Sequence, residues 1–303
     1  MILQQLGGQP IVKCVARIIG LIVTAICFFY LWQILQAELT RAAFDVNARL
    51  VFVSVLICAS GLGGYSILAL SWCWLLRTQY PTLAWKFSLR ILGLSQIGKY
   101  LPGNVAHVAG RAVLARPLVQ PLDITYSFVV ESLLLVASHA AIGVLQLGYI
   151  VGLTTMQAAA GSLILIFTCP LGLVVIVRWI TKRFPADFQT YVKVFGMFLF
   201  LALINGAALW LLLWAQHLPL VSPLVLASSF ALAFVAGFVL PGAPGGLGVR
   251  EAVFVWLMQD WLPQHEALRI VVLFRVISIA SDVMLFLIAQ RLKPLAHESA
   301  SSR

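Results

Sequence analysis

Charged residues are scarce in this chain: they make up only 10% of its 303 positions, whereas 62% are hydrophobic. Soluble globular domains carry about 25% charged residues, so this composition excludes an ordinary globular protein. A helix that crosses a bilayer needs about 20 mainly apolar residues. The composition therefore predicts an all-α polytopic membrane protein.

Motifs of metal, disulfide and nucleotide chemistry are missing as well. The five cysteines lie in or beside apolar stretches and form no CxxC pair, which argues against a zinc site or a disulfide framework. The sequence also has no P-loop, no HExxH and no GxSxG. We therefore expect no cofactor and no metal site, and we favour a transporter over an enzyme.

Long apolar stretches are abundant. Six of them are long enough to span a bilayer: 11–36, 50–75, 124–150, 156–178, 192–215 and 266–290. Two more, 81–116 and 224–262, are interrupted by Pro and Gly. Such breaks free backbone groups that only surrounding protein or a watery cavity can satisfy. We interpret both as re-entrant segments; the alternative for the second is two short ordinary spans, 224–240 and 251–265.

A repeated tripeptide divides the chain into two halves. Leu-Pro-Gly occurs at 101–103 and at 240–242, each time with a glycine three residues before it and an arginine ten residues after it. When the sequence is shifted against itself by this offset of 139 residues, apolar stretches align with apolar stretches. Three crossings per half then predict two inverted repeats, each with one broken segment. The predicted organisation is one membrane domain, 1–303, with repeats 11–150 and 151–290 and a cytoplasmic tail, 291–303.

The basic residues indicate an orientation. Lys and Arg concentrate in the cytoplasmic loops of membrane proteins. With a cytoplasmic N-terminus, 15 of the 20 basic residues lie inside or at that interface, whereas only Arg41, Arg49 and Arg269 lie outside. We therefore interpret the net charge of +10 as topology rather than as a nucleic-acid site. We therefore expect this chain to be a bacterial inner-membrane protein with its N-terminus and its C-terminus in the cytoplasm.

The second interrupted stretch contains the strongest candidate for an anion site. Its Pro and Gly positions are Pro241, Gly242, Pro244, Gly245, Gly246 and Gly248. Helix is expected to resume near Leu247, which leaves free N–H groups that bind phosphate-like anions. Arg250 adds a charge suited to bidentate bonds with phosphate, and Glu251 either balances Arg250 or selects a cationic headgroup. The structural alternative is a tight turn between packed helices.

The first interrupted stretch offers matching groups. Around the break at Pro102 and Gly103 lie four candidate substrate ligands, namely Lys99, Asn104, His107 and Arg111. Two cationic tips that approach from opposite faces would suit alternating access to an anionic group. For His107, packing explains its presence as well as a ligand contact does.

Four ionisable residues inside predicted spans complete the candidates: Glu131, His139, Arg275 and Asp282. Charges at membrane depth are costly and usually functional. We expect Glu131 to pair with Arg275 or Arg250, and Asp282 to pair with Arg111. The alternative is that these residues form structural ion pairs that hold the helix bundle together.

Two sequence strings carry a family resemblance. Gly98-Lys-Tyr-Leu-Pro-Gly with His107-Val-Ala-Gly-Arg111, and Pro-Gly-Gly-Leu-Gly-Val-Arg-Glu at 244–251, resemble the transmembrane region of the lysylphosphatidylglycerol synthase family. The resemblance covers nearly the whole chain. It implies a flippase-like domain that moves a lipid between leaflets, with Arg111, Arg250 and Glu251 as substrate residues. Because the sequence holds no soluble synthetase domain, we expect a stand-alone member with another lipid as substrate.

The expected function is a lipid translocase that moves a phosphate-containing anionic or lipid-linked headgroup across the inner membrane. Its partners would be that lipid and a separately encoded lipid-synthesising enzyme, with no nucleic acid. One alternative is a membrane-embedded transferase with a lipid-linked donor, which would use Glu38 or Asp45 in the first outer loop. Another is a non-catalytic membrane subunit of a lipid-modifying system.

Overall fold

A computed structural model of the protein describes Phe29 and residues 47–100, 106–180, 187–240, 246 and 248–292. Within these residues the chain forms helices joined by short turns, with no strand. Most of the first predicted span, 11–36, both Leu-Pro-Gly tips and the tail beyond 292 lie outside them.

Nine α-helices have their bounds within the described residues. They are α1 (Ala48–Arg77), α2 (Trp85–Gln96), α3 (Ala106–Ala115), α4 (Pro121–Ile150), α5 (Thr155–Ile180), α6 (Phe188–Ala215), α7 (Pro223–Val239), α8 (Val249–Leu257) and α9 (Gln264–Arg291), and a 3-10 helix (Ile97–Tyr100) follows α2 directly. Four of the described helices, α1, α4, α6 and α9, are long and apolar enough to cross a membrane. This confirms the prediction of an all-helical, multi-pass membrane protein.

Local sequence signals define the ends of the long helices. Asn47 caps α1, since its side-chain oxygen accepts a hydrogen bond from the Leu50 N–H at 2.8 Å. Asp187 caps α6 in the same way. Pro121 and Pro223 occupy the first turns of α4 and α7, where the missing N–H costs nothing. The ends of α1, α4, α5, α6 and α9 fall within four residues of the predicted span limits.

Each interrupted stretch folds as a helix hairpin, in which α2 packs on α3 and α7 packs on α8. A Cβ atom at Gly98 would lie 2.8 Å from the backbone nitrogen of His107. A Cβ atom at Gly237 would lie 2.5 Å from Cγ of Arg250. The glycine that precedes each Leu-Pro-Gly by three residues therefore allows the returning helix to approach closely.

The two hairpins are held by helices from both halves of the chain. The first hairpin contacts α1 and α9 through α2, and the second contacts α6 and α4 through α7. One apolar core, which includes Leu212, Phe254 and Ile270, fills the space among α1, α6, α7, α8 and α9. Another, which includes Trp72 and Phe198, lies among α1 to α4 and α6. The two halves thus interlock rather than stand side by side.

Gly206 sets the distance between α6 and α7. A Cβ atom there would lie 2.4 Å from Cβ of Ala227 and 2.6 Å from the carbonyl oxygen of Pro223. We expect Gly206→Ala to destabilise the protein by about 1–3 kcal/mol, because the backbone of α7 has to move.

Gly196 on the same helix provides the matched control. No described atom would lie within 4 Å of a Cβ there, and alanine is the better helix former. We expect Gly196→Ala to leave the unfolding temperature in detergent unchanged or slightly raised. Equal unfolding temperatures for the two variants would contradict the close packing at Gly206.

Candidate functional site

A cavity of about 270 Å³ lies where α1, α4, α6, α9 and the two hairpins meet. Much of its wall is apolar, with five phenylalanine rings: Phe128, Phe230, Phe234, Phe238 and Phe274. The charged residues of the described wall are Lys99, Arg111, Glu131, Arg250, Glu251, Arg275 and Asp282. All of these, and His107 beside them, are side chains that the sequence singles out as candidates. The fold therefore brings every described candidate side chain to one cavity.

The first buried ion pair joins α3 to α4. Arg111 Nη1 donates to Glu131 Oε2 at 2.5 Å, and each side chain is only 3% exposed. The Arg111 guanidinium also lies over the ring of Trp72, 5.2 Å from its centroid. The predicted pairing of Glu131 with Arg275 or Arg250 is therefore wrong. The physical reason is that α3 returns alongside α4, which brings the arginine of the first hairpin to Glu131.

The second ion pair joins the first hairpin to α9. Lys99 Nζ lies 2.7 Å from Asp282 Oδ2, and the Asp282 side chain is 1% exposed. The hydroxyls of Tyr65 and Tyr100 donate to the two oxygens of the same carboxylate. The predicted pairing of Asp282 with Arg111 is wrong, because the 3-10 helix that carries Lys99 faces α9.

The third acidic residue, Glu251, stabilises the start of α8. Its Oε2 accepts a hydrogen bond from the Gly248 N–H at 2.7 Å, and its Oε1 lies 3.8 Å from Arg275 Nε. Gly248 has a φ of 80° and Gly246 a φ of 70°, which favour glycine. Helix α8 begins at Val249, within two residues of the predicted start near Leu247. Contrary to the prediction, the Gly248 N–H is not free for a ligand, because the chain's own carboxylate occupies it.

Arg250 differs from the other cations of the cavity wall. The three wall carboxylates pair with Lys99, Arg111 and Arg275, and no described carboxylate lies within ion-pair distance of Arg250. Its guanidinium lies over the ring of Phe234, 4.3 Å from the centroid, and its buried Nε has no hydrogen-bond partner among the described residues. Among the described wall residues there are four basic and three acidic groups, which leaves one excess positive charge.

Several wall residues were missed by sequence reasoning, among them Tyr65, Gln96, Tyr100, Asn205 and Phe234. Asn205 was detectable, because an amide inside an otherwise apolar span is unusual. Nothing in the sequence indicates that Phe234 lies beneath Arg250, or that Tyr65 donates to Asp282.

Part of the predicted site lies outside the described residues. This holds for Pro102, Gly103, Asn104, Pro241, Gly242, Pro244 and Gly245, and also for Glu38 and Asp45 of the alternative transferase. Gly246 and Gly248 are described, and they shape the start of α8 rather than the cavity wall.

Comparisons with known proteins add no family to this description. No family model matches the chain, and no curated protein matches it either. The resemblance to the lysylphosphatidylglycerol synthase family therefore stays a prediction from the sequence strings. The function has to be argued from the charges and the shape of the cavity.

Proposed function

We propose that the protein is a lipid translocase of the bacterial inner membrane, which moves an anionic phosphate-containing headgroup between the two leaflets. The observation that carries this proposal is Arg250, a cavity cation without a carboxylate partner among the described residues. A cation kept at membrane depth is costly unless it is used. A guanidinium matches the geometry of a phosphate group and binds it through two parallel hydrogen bonds.

The volume of the cavity supports a headgroup rather than a whole lipid as the bound part. Its volume of about 270 Å³ falls just below the range of small-molecule sites, which run from about 300 to 1,000 Å³. In this proposal the headgroup passes through the protein while the acyl or prenyl chains stay in the surrounding lipid. Such a division avoids transferring a charged headgroup through hydrocarbon.

The order and packing of the helices support two inverted repeats. Shifted by 139 residues, α1 falls on 187–216 and α4 on 260–289, close to α6 and α9. The same shift lays the first hairpin on the second. Each hairpin packs against the last helix of the other half, as a two-fold relation between the halves requires. Transporters built in this way hold the substrate between the repeats and expose it to one side at a time.

Within this proposal both hairpins are re-entrant and enter the membrane from opposite faces. Their irregular backbone then lines the cavity, where irregular structure at membrane depth is tolerated. The bias of the basic residues orients both termini toward the cytoplasm. Movement of one half against the other would open the cavity alternately to each leaflet.

Translocation by Arg250→Gln tests the proposal directly. The protein is reconstituted into vesicles with a fluorescent anionic phospholipid, and the fraction protected from an external quencher is followed with time. We expect Arg250→Gln to lower the rate roughly tenfold or more, because a charge-assisted contact to the headgroup is lost.

The matched control is Arg291→Gln, which removes the same charge from an exposed position at the end of α9. We expect this variant to retain the wild-type rate, and both variants to keep the wild-type unfolding temperature. Wild-type translocation by Arg250→Gln would contradict the proposal. Conversion of the lipid into a new covalent product would favour the transferase instead.

A further inference from the structure

The charges and open hydrogen-bonding groups of the cavity also restrict the chemistry of the headgroup. On the basis of the proposed function, we infer that the substrate is a phosphodiester lipid with one negative charge. The headgroup of this lipid ends in hydroxyl groups, as a polyol or a sugar does, rather than in an amine. Three features of the described wall support this: its net charge, the balanced charges of its carboxylates, and two buried polar atoms outside its arginines, Glu131 Oε1 and His107 Nδ1, that have no described partner.

The net charge of the wall matches a single negative charge. Lys99, Arg111 and Arg275 are each opposed by a carboxylate, so that among the wall residues that the structure describes only Arg250 has an uncompensated charge. A phosphodiester neutralises this one charge. A phosphomonoester or a diphosphate would leave an excess negative charge in a largely apolar cavity, which is unfavourable.

The negative charges of the described wall carboxylates are already balanced by cations of the protein, which argues against an amine. Asp282 accepts hydrogen bonds from two tyrosines and pairs with Lys99. Glu251 holds the start of α8 and faces Arg275. The charge of Glu131 is already balanced by Arg111, so an ammonium group beside its open oxygen would add an uncompensated positive charge to the largely apolar cavity. A zwitterionic or aminoacylated headgroup therefore finds no carboxylate for its positive charge.

Two buried polar atoms are open to a hydroxyl group. Glu131 Oε1 has no hydrogen-bond partner among the described residues, although its side chain is 97% buried. His107 Nδ1 is likewise buried and without a described partner. Both residues line the cavity, as do the neutral side chains of Ser132, Asn205 and Ser278. A hydroxyl both donates and accepts, so it can satisfy either atom without adding charge.

Four short-chain lipids distinguish the effects of charge, hydroxyl groups and an amine on binding. Dihexanoyl phosphatidylglycerol has one negative charge and two free hydroxyls, and the phosphatidylmethanol analogue has the same charge without hydroxyls. Phosphatidylethanolamine adds an amine, and phosphatidic acid at pH 8 approaches two negative charges. Their dissociation constants are measured by calorimetry on the purified protein in detergent.

We expect phosphatidylglycerol to bind best, roughly tenfold more tightly than phosphatidylmethanol because it adds one or two hydrogen bonds. Phosphatidylmethanol should bind more tightly than both phosphatidylethanolamine and phosphatidic acid. His107→Phe keeps an aromatic ring but removes the ring nitrogens. We expect it to reduce the difference between the dissociation constants of phosphatidylglycerol and phosphatidylmethanol.

The Arg250→Gln variant distinguishes failure of this inference from failure of the proposed function. If phosphatidylethanolamine or phosphatidic acid binds best and Arg250→Gln abolishes that binding, the inference is overturned while the anion site remains. Equal binding of phosphatidylglycerol and phosphatidylmethanol overturns the role of the hydroxyls. If no lipid binds, or if Arg250→Gln binds all four like the wild type, the proposed function fails as well.

Discussion

Replacing Glu131 by leucine is expected to destabilise the protein by about 3–5 kcal/mol. The change leaves the Arg111 guanidinium, which is 3% exposed, without its carboxylate in the interior of the helix bundle. The surrounding rings of Trp72 and Phe128 offset only part of that cost. Removing one member of a buried pair is generally much worse than removing both.

The double variant Arg111→Met/Glu131→Leu is therefore the matched control, and we expect it to regain most of the lost stability. Unfolding in mixed detergent micelles, followed by tryptophan fluorescence, gives the three free energies. A single variant as stable as the wild type would contradict the buried ion pair. The translocation rate of the stable double variant then shows whether the ion pair has a role beyond stability. A wild-type rate would mean that the pair only stabilises the fold.

Replacing Asp282 by asparagine is expected to reverse the lipid preference. The change keeps the shape of the side chain but releases Lys99 from its carboxylate 2.7 Å away, which gives the cavity a second uncompensated positive charge. Phosphatidic acid at pH 8 should then bind more tightly than phosphatidylglycerol, so that the ratio of the two dissociation constants shifts by more than about tenfold from its wild-type value. Calorimetry with the two short-chain lipids measures the change.

The double variant Lys99→Met/Asp282→Asn restores a single excess charge and serves as its control. We expect it to return to the wild-type preference for phosphatidylglycerol. Wild-type selectivity in Asp282→Asn would mean that cavity charge does not select the lipid. If the change in lipid preference persists in the double variant, its cause is instead the altered contacts of Tyr65 and Tyr100 with residue 282.

The long helices were predictable because their signals are local. An apolar run of membrane length needs no knowledge of its neighbours, and Asn47, Asp187 and Pro121 define helix starts by short-range effects. The charged side chains of the cavity wall were predictable for a related reason: charges are so rare in apolar spans that each is a candidate. All the described candidate side chains indeed line one cavity.

The partners of those charges were not predictable. Each ion pair depends on which helix a given face meets, and an apolar span shows too weak a pattern to reveal that face. Arg111 meets Glu131 and Lys99 meets Asp282 because hairpins pack against particular helices over long sequence distances. One local signal was available and missed: an acidic residue three positions after Gly248 is typical of a helix start, which is the role that Glu251 takes.

The interlocking of the two halves has a consequence for synthesis. While the chain is being made, α2 enters the membrane long before α9. Of the long helices that the structure describes against α2, α1 is then present and α9 is not, and Asp282, the described acidic partner of Lys99, has yet to be made. The first hairpin therefore cannot reach its final packing until Asp282 has been inserted. We expect the early helices to stay loosely associated, and accessible to the insertion machinery, until the last crossing arrives and closes the bundle.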